Sequence, residues 1–177
     1  QDYGKDHYAA VSFAHAPNGR HTMIAWMSNW GYANNVPTMQ FRSANTIARE
    51  PFLYSANGKI YLGSRPSPEY DNAGLDKSIK INGSSIITLS NQNGEEVVIT
   101  YDQTAMTLSC DRSKSGLTDF SSNFNNIATA PVQRKITSMR IFIGNSSVEI
   151  FANNGGVCMT SLVFPTSPLD KWTIVKK

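Results

Sequence analysis

The chain's 177 residues suffice for one ordinary domain, or one domain with part of another, around a real core. With 40% hydrophobic and only 16% charged residues, the composition excludes a disordered chain. The net charge of +3 is scattered rather than gathered into a stripe, which argues against nucleic acid as a partner, and no apolar stretch reaches the length of a membrane span.

In chain order, the opening residues Gln1-Asp2-Tyr3-Gly4 carry neither the basic region nor the apolar run of a signal peptide. Tyr8 to Phe13 and Thr22 to Met27 read as two strands, and the Asn18-Gly19 pair between them signals a hairpin. Asn57-Gly58 predicts a second hairpin between Phe52-Leu53-Tyr54 and Ile60-Tyr61-Leu62. Asn82-Gly83 predicts a third, between Ile79-Lys80-Ile81 and Ile86 to Leu89. Strands follow over Val97 to Tyr101, Met106 to Cys110, Ser138 to Ile143, Val148 to Phe151, Val157 to Phe164 and Trp172 to Val175. No window of eleven residues carries a helical stripe, so the chain is all-β, a sandwich or part of a propeller. Residues 1–48 hold Trp26, Trp30 and all three histidines, with a long polar loop from Gly31 to Gln40, whereas residues 52–177 are regular strand and turn. That shift predicts two units, 1–50 carrying a functional edge and 51–177 forming a structural module.

Cys110 and Cys158 each fall inside an expected strand, where buried free thiols are favoured over a disulfide. His7, His15 and His21 lack the paired ligands of a zinc site, so no metal is expected. Asn82-Gly83-Ser84 and Asn145-Ser146-Ser147 fit the N-glycosylation pattern, which is common by chance.

Four blocks open the chain: Asp2-Tyr3-Gly4-Lys5-Asp6-His7-Tyr8-Ala9, Ala25-Trp26-Met27-Ser28-Asn29-Trp30, Tyr32-Ala33-Asn34-Asn35-Val36-Pro37-Thr38, and Phe41-Arg42-Ser43-Ala44-Asn45-Thr46-Ile47-Ala48-Arg49-Glu50. In that order they resemble the last propeller blade of glycoside hydrolase family 32, the levanases, inulinases and invertases, whose blocks read D-Y-G-x-D-F-Y-A, G-W-M-S-N-W, Y-A-N-x-x-P-T and W-R-S-A-M-T-x-P-R-E-L. Leu108-Ser109-Cys110-Asp111-Arg112 and Val148-Glu149-Ile150-Phe151-Ala152-Asn153 resemble two further blocks from the family's C-terminal sandwich. Phe41 replaces the family's Trp, Asn45 its Met, Ala48 its Pro and Pro51 its Leu.

The resemblance implies the last blade of a five-bladed propeller over residues 1–50 and an antiparallel β-sandwich over 51–177. It implies the C-terminal part of a retaining hydrolase acting on fructan or sucrose, without metal or cofactor, located outside the cell or in the periplasm. The alternative is a non-catalytic carbohydrate-binding or structural sandwich. The family's W-M-N-D-P-N-G, R-D-P and E-C segments, which supply the catalytic Asp, Asp and Glu, do not occur here. No catalytic residue is therefore expected in this chain, which alone should be inactive. The substrate contacts carried over by the resemblance are Asp2 and Lys5 at the pocket mouth, Trp30 on its rim, and Phe41 as a stacking platform or a plug between blade and sandwich. Trp26 reads as packing, and Arg42 and Glu50 as braces within the blade. An exposed blade edge would favour self-association.

Overall fold

The computed structural model describes residues 2–124 and 127–177. Among them helix is confined to three 3-10 turns of three residues each, and the remaining regular structure is strand, as the turn-punctuated sequence requires.

The first sheet is a meander of β1 (Tyr8–Ser12), β2 (Met23–Met27), β4 (Arg49–Ala56) and β5 (Lys59–Pro66), with β3 (Ala44–Asn45) paired to β2 in line with β4. The break between β3 and β4 is held by Thr46, whose hydroxyl accepts the Ala25 N–H at 3.1 Å while its own N–H reaches the Ala25 carbonyl at 3.0 Å. The β4–β5 hairpin turns at Asn57-Gly58, where both residues have positive φ, as a primed turn demands. The expected division between residues 50 and 51 falls within β4, which stays paired with β5 along all eight residues.

Two further sheets form a sandwich. One has the order β10 (Ala128–Pro131), β9 (Thr107–Lys114), β8 (Glu96–Asp102), β7 (Ser85–Ser90), β14 (Lys171–Lys176). The other runs β13 (Val157–Leu162), β12 (Ser147–Ala152), β11 (Ser138–Ile143), β6 (Asp76–Lys80). Alternate residues of each, such as Leu89, Ile99 and Leu108 on one side and Ile141, Ile150 and Met159 on the other, interdigitate in one dry core. The expected hairpin across Asn82-Gly83 does not form. Ile79 pairs with Met139 in one sheet, whereas Ile86 and Ile87 pair with Thr100 and Ile99 in the other. The turn chemistry is local, but the chain at that point crosses from one sheet to the other.

All of β13, and nearly all of β12, is buried. In a two-layer sandwich one face of each strand would meet water; here the outward set Glu149, Phe151, Cys158, Thr160 and Leu162 is covered by the first sheet and the segments flanking it. Phe142, Phe151 and Cys158 pack with Ile47 and Tyr70, and Leu162 and Phe164 pack with Met27, Tyr32 and Val36. The molecule is thus three-layered, and the joint between the first sheet and the sandwich is a second core.

Candidate functional site

Because β1 and β2 are antiparallel, residues 2–7 and 28–43 leave the same end of the first sheet. Asn29 ties them together. Its side chain donates to the Lys5 carbonyl at 3.0 Å and accepts the Gly31 N–H at 2.9 Å, and its carbonyl accepts the Tyr32 and Ala33 N–H groups. Trp30, 70% exposed, leans on Trp26 with centroids 5.0 Å apart and planes tilted by 56°, and Trp26 meets Tyr8 edge-on at 6.0 Å. Trp26 therefore packs, while Trp30 presents indole surface to solvent beside Lys5. Phe41 is 61% exposed and overhangs a crevice walled by Met27, Val36, Leu162 and Phe164. At about 20 Å³ that crevice has room for one water and is too small for a sugar ring. The loop bearing Phe41 is closed by Thr38, whose hydroxyl donates to the Phe41 carbonyl, and by Arg42, which donates to the Asn34 carbonyl. Glu50 braces the sheet by pairing with Arg20 at 2.7 Å and Arg65 at 3.3 Å.

Asp2 lies elsewhere. Its side chain is 2% exposed, with both oxygens engaged. They accept from the Gly4 N–H at 2.7 Å, the Thr160 N–H at 3.0 Å and the Thr160 hydroxyl at 2.6 Å, and pair with Arg49 at 2.7 Å. Residues 2–6 run beside β13, with the Tyr3 N–H on the Cys158 carbonyl and the Asp6 N–H on that of Thr160. Only glycine fits at position 4, since a Cβ there would stand 2.0 Å from the Thr160 carbonyl oxygen. Arg49 also holds Glu149 at 2.5 Å and lies 4.6 Å over the Phe151 ring; Glu149 in turn accepts the Ile47 N–H. Burial opposes the Asp2 charge, but Arg49 and the Thr160 hydroxyl outweigh it and leave its pKa below the usual value. At Glu149 burial wins over the same guanidinium and the pKa is raised.

A second clamp stands alongside. The carboxylate of Asp6, fully buried, accepts from Arg112 at 2.5 Å, from the Leu162 N–H at 2.8 Å and from the Tyr32 hydroxyl. Arg112 donates further to the carbonyls of Phe124 and Leu162 and to the Tyr32 oxygen, and its guanidinium sits 3.9 Å over the Phe124 ring. Burial and the Asp6 charge both raise the Tyr32 pKa.

Residues from five of the six sequence blocks thus meet in space. Asp2, Arg49 and Glu149 form one clamp, and Asp6, Tyr32 and Arg112 the other. The sequence reading passed over Arg49, Arg112 and Glu149. Their signal was available, because Arg112 and Glu149 occupy alternating strand positions otherwise filled by buried residues. None of these carboxylates is open to a substrate, so the clamps fasten the joint and do no chemistry. Of the expected contacts, Lys5, Trp30 and Phe41 are exposed, Asn29 ties the segment bearing Lys5 to the one bearing Trp30, and Asp2 is turned inward. Both cysteines are free and buried, and no cluster of metal-binding side chains occurs among the described residues.

A three-layer all-β unit with an ion-paired joint defines the class, a meander sheet fused to a sandwich. The family model for the N-terminal domain of glycosyl hydrolases family 32 matches residues 1–64, and that for the family's C-terminal region matches residues 65–177. The chain belongs to glycosyl hydrolase family 32. It is 33% identical to a levanase of Bacillus subtilis, over 93% of this chain and 30% of that protein. It is 26% identical to an extracellular exo-inulinase of Aspergillus niger, over 94% of this chain and 38% of the relative. Among solved structures, exo-inulinase from Aspergillus awamori superposes with a TM-score of 0.85 at 24% identity, covering 99% of this chain and 41% of that one. A β-fructofuranosidase from Schwanniomyces occidentalis gives 0.73 at 21%, covering 93% and 43%. The chain therefore spans about a third of the length of the curated relatives it matches.

Proposed function

We propose that this chain is the C-terminal part of a retaining hydrolase that releases fructose from fructan or sucrose, its first sheet serving as the last blade of a propeller. The observation that carries this reading is the joint. One four-position meander is clamped to a sandwich by charged residues drawn from the same blocks that define the family pattern. A blade normally lies between neighbours, and β1 is exposed at all five residues, with Tyr8, Val11 and Phe13 open to solvent. Such an apolar edge suits a surface covered by further blades better than a free-standing binding module. The carboxylate nucleophile and acid/base belong to segments outside this sequence. Lys5, Trp30 and Phe41 form one rim of the pocket, and Asp2 supports that rim by anchoring the segment that bears Lys5. The relatives named levanase, extracellular exo-inulinase and β-fructofuranosidase support a fructose-containing substrate and a site of action outside the cytoplasm.

The test is fructose release from levan, inulin and sucrose by the longer protein carrying this chain. Phe41→Ala should lower kcat/KM by about 1–2 kcal/mol, roughly 5- to 30-fold, with Tm little changed, because a stacking ring acts on the bound sugar. A fall in Tm with unchanged kcat/KM would make Phe41 a plug in the joint. Absence of fructose release from all three substrates would refute the assignment.

A further inference from the structure

The sandwich carries a groove of about 560 Å³ between the β11–β12 turn and the loop leading into β14, within the range of small-ligand sites. Ile143, Pro165 and Trp172 form its apolar wall, and Asn145 and Asp170 its polar edge. The turn separates this groove from the crevice under Phe41, because Asn145 lines the groove and the adjoining Ser146 lines the crevice.

The loop is held before anything binds. Asn91 donates to the Ser167 carbonyl at 2.8 Å, and Asn93 donates to the Thr166 and Ser167 hydroxyls at 2.9 and 2.7 Å. Glu95 accepts the Thr166 N–H at 2.8 Å and its hydroxyl at 2.7 Å. Pro165 and Pro168 remove further backbone freedom. Against this fixed frame three polar groups stay unused. The Asn145 amide and the Asp170 carboxylate, both exposed, and the Trp172 indole N–H have no hydrogen-bond partner among the described residues. Trp172 packs against the sandwich core, and the Lys77 ammonium lies 4.7 Å from its ring centre.

A carboxylate that only accepts, an amide that does both and an indole that donates, set beside an apolar wall, match a ligand with many hydroxyls on a carbon skeleton. Asp170 on the edge and Lys77 over the Trp172 ring carry opposite charges, so the groove offers no net field that would favour an ion over a neutral ligand. We propose that this groove binds a neutral oligosaccharide; resting on the function proposed above, that ligand is a stretch of the fructan chain, held on the sandwich next to the loop that bears Phe41. Preorganisation of the loop reduces the ordering cost of binding.

Affinity electrophoresis of the full chain in native gels cast with levan, inulin or dextran tests the proposal, with a non-binding protein as mobility standard. Retardation is expected in levan or inulin, and an Asn145→Ala/Asp170→Ala variant should lose it. Both positions are exposed, so an unchanged Tm in that variant excludes misfolding, and Trp172→Phe should weaken retardation by removing the indole N–H. Mobility in both fructans unchanged from that of the same protein in a gel without polysaccharide, or equal retardation of wild type and double variant on that scale, would overturn the proposal. The gel needs no turnover, so its failure is separate from that of the enzymatic assignment, which is read by fructose release from the longer protein.

Discussion

Asp6 and Arg112 sit 106 positions apart in sequence, and both side chains are at most 1% exposed. Removing one member of such a pair strands the other charge without water. Arg112→Met should therefore cost about 3–5 kcal/mol of stability, whereas adding Asp6→Asn should recover much of that loss. Urea midpoints for both single variants and the double variant close the cycle, and additive effects would show that the two residues act separately. His7 makes a second case. It stands where the family pattern has Phe, half-buried, with Nε2 lacking a partner. Burial, and then the Arg49 charge, lower its pKa from the ordinary 6.5, with Asp2 pulling the other way. The unfolded chain thus takes up a proton that the folded chain resists. The stability His7 contributes is present above pH 6.5 and is lost as pH falls from there toward the folded pKa. Asp2 has the same sign but acts below its ordinary 3.8, and the raised Glu149 has the opposite sign. Urea midpoints between neutral and mildly acidic pH should decline in wild type and decline less in His7→Phe. Parallel curves would assign the decline to other groups.

Among the elements, the segment 2–6 along β13 depends most on one residue. Gly4→Ala would drive a methyl into the Thr160 backbone, and the neighbouring strand cannot yield without leaving the sandwich core. A loss of about 1–3 kcal/mol is expected, as for other overpacked sites. Amide exchange of Tyr3 and Asp6, which bond to Cys158 and Thr160, should speed up before that of β8 or β9. Equal protection in the variant would mean that the segment is held by Asp2 and Asp6 alone. The strands themselves were legible, because alternation and Asn-Gly turns are local signals; β4 and β5 pair across Asn57-Gly58 as read. The turn at Asn82-Gly83 was legible too, yet the pairing across it was not. Ile79 and Ile87 belong to different layers of one core, and layer choice depends on partners far along the chain.

For the molecule as a whole, the chain alone should release no reducing sugar from levan, inulin or sucrose, even at high concentration. Retaining hydrolysis needs two carboxyl groups about 5 Å apart and open to the sugar. Among the described residues the acids that share a guanidinium are Asp2 and Glu149 on Arg49, at 2% and 3% exposed, Glu50 and Glu69 on Arg20, and Asp71 and Asp76 on Arg140. Each is ion-paired to an arginine rather than free to attack a sugar. Turnover that survives purification and disappears in Asp2→Asn would reverse that conclusion. The sequence by itself determined the all-β class, most strand positions and the family, because periodicity, turn residues and ordered blocks are all written along the chain. What only the tertiary structure decided is the work of the charged residues inside those blocks. Asp2 meets Arg49 from 47 positions away and Thr160 from 158, and the spacing of a motif carries no record of which way a side chain turns. Whether a carboxylate faces a sugar or a buried arginine is set by the layer that closes over it, here the sandwich sheet bearing Glu149 and Thr160.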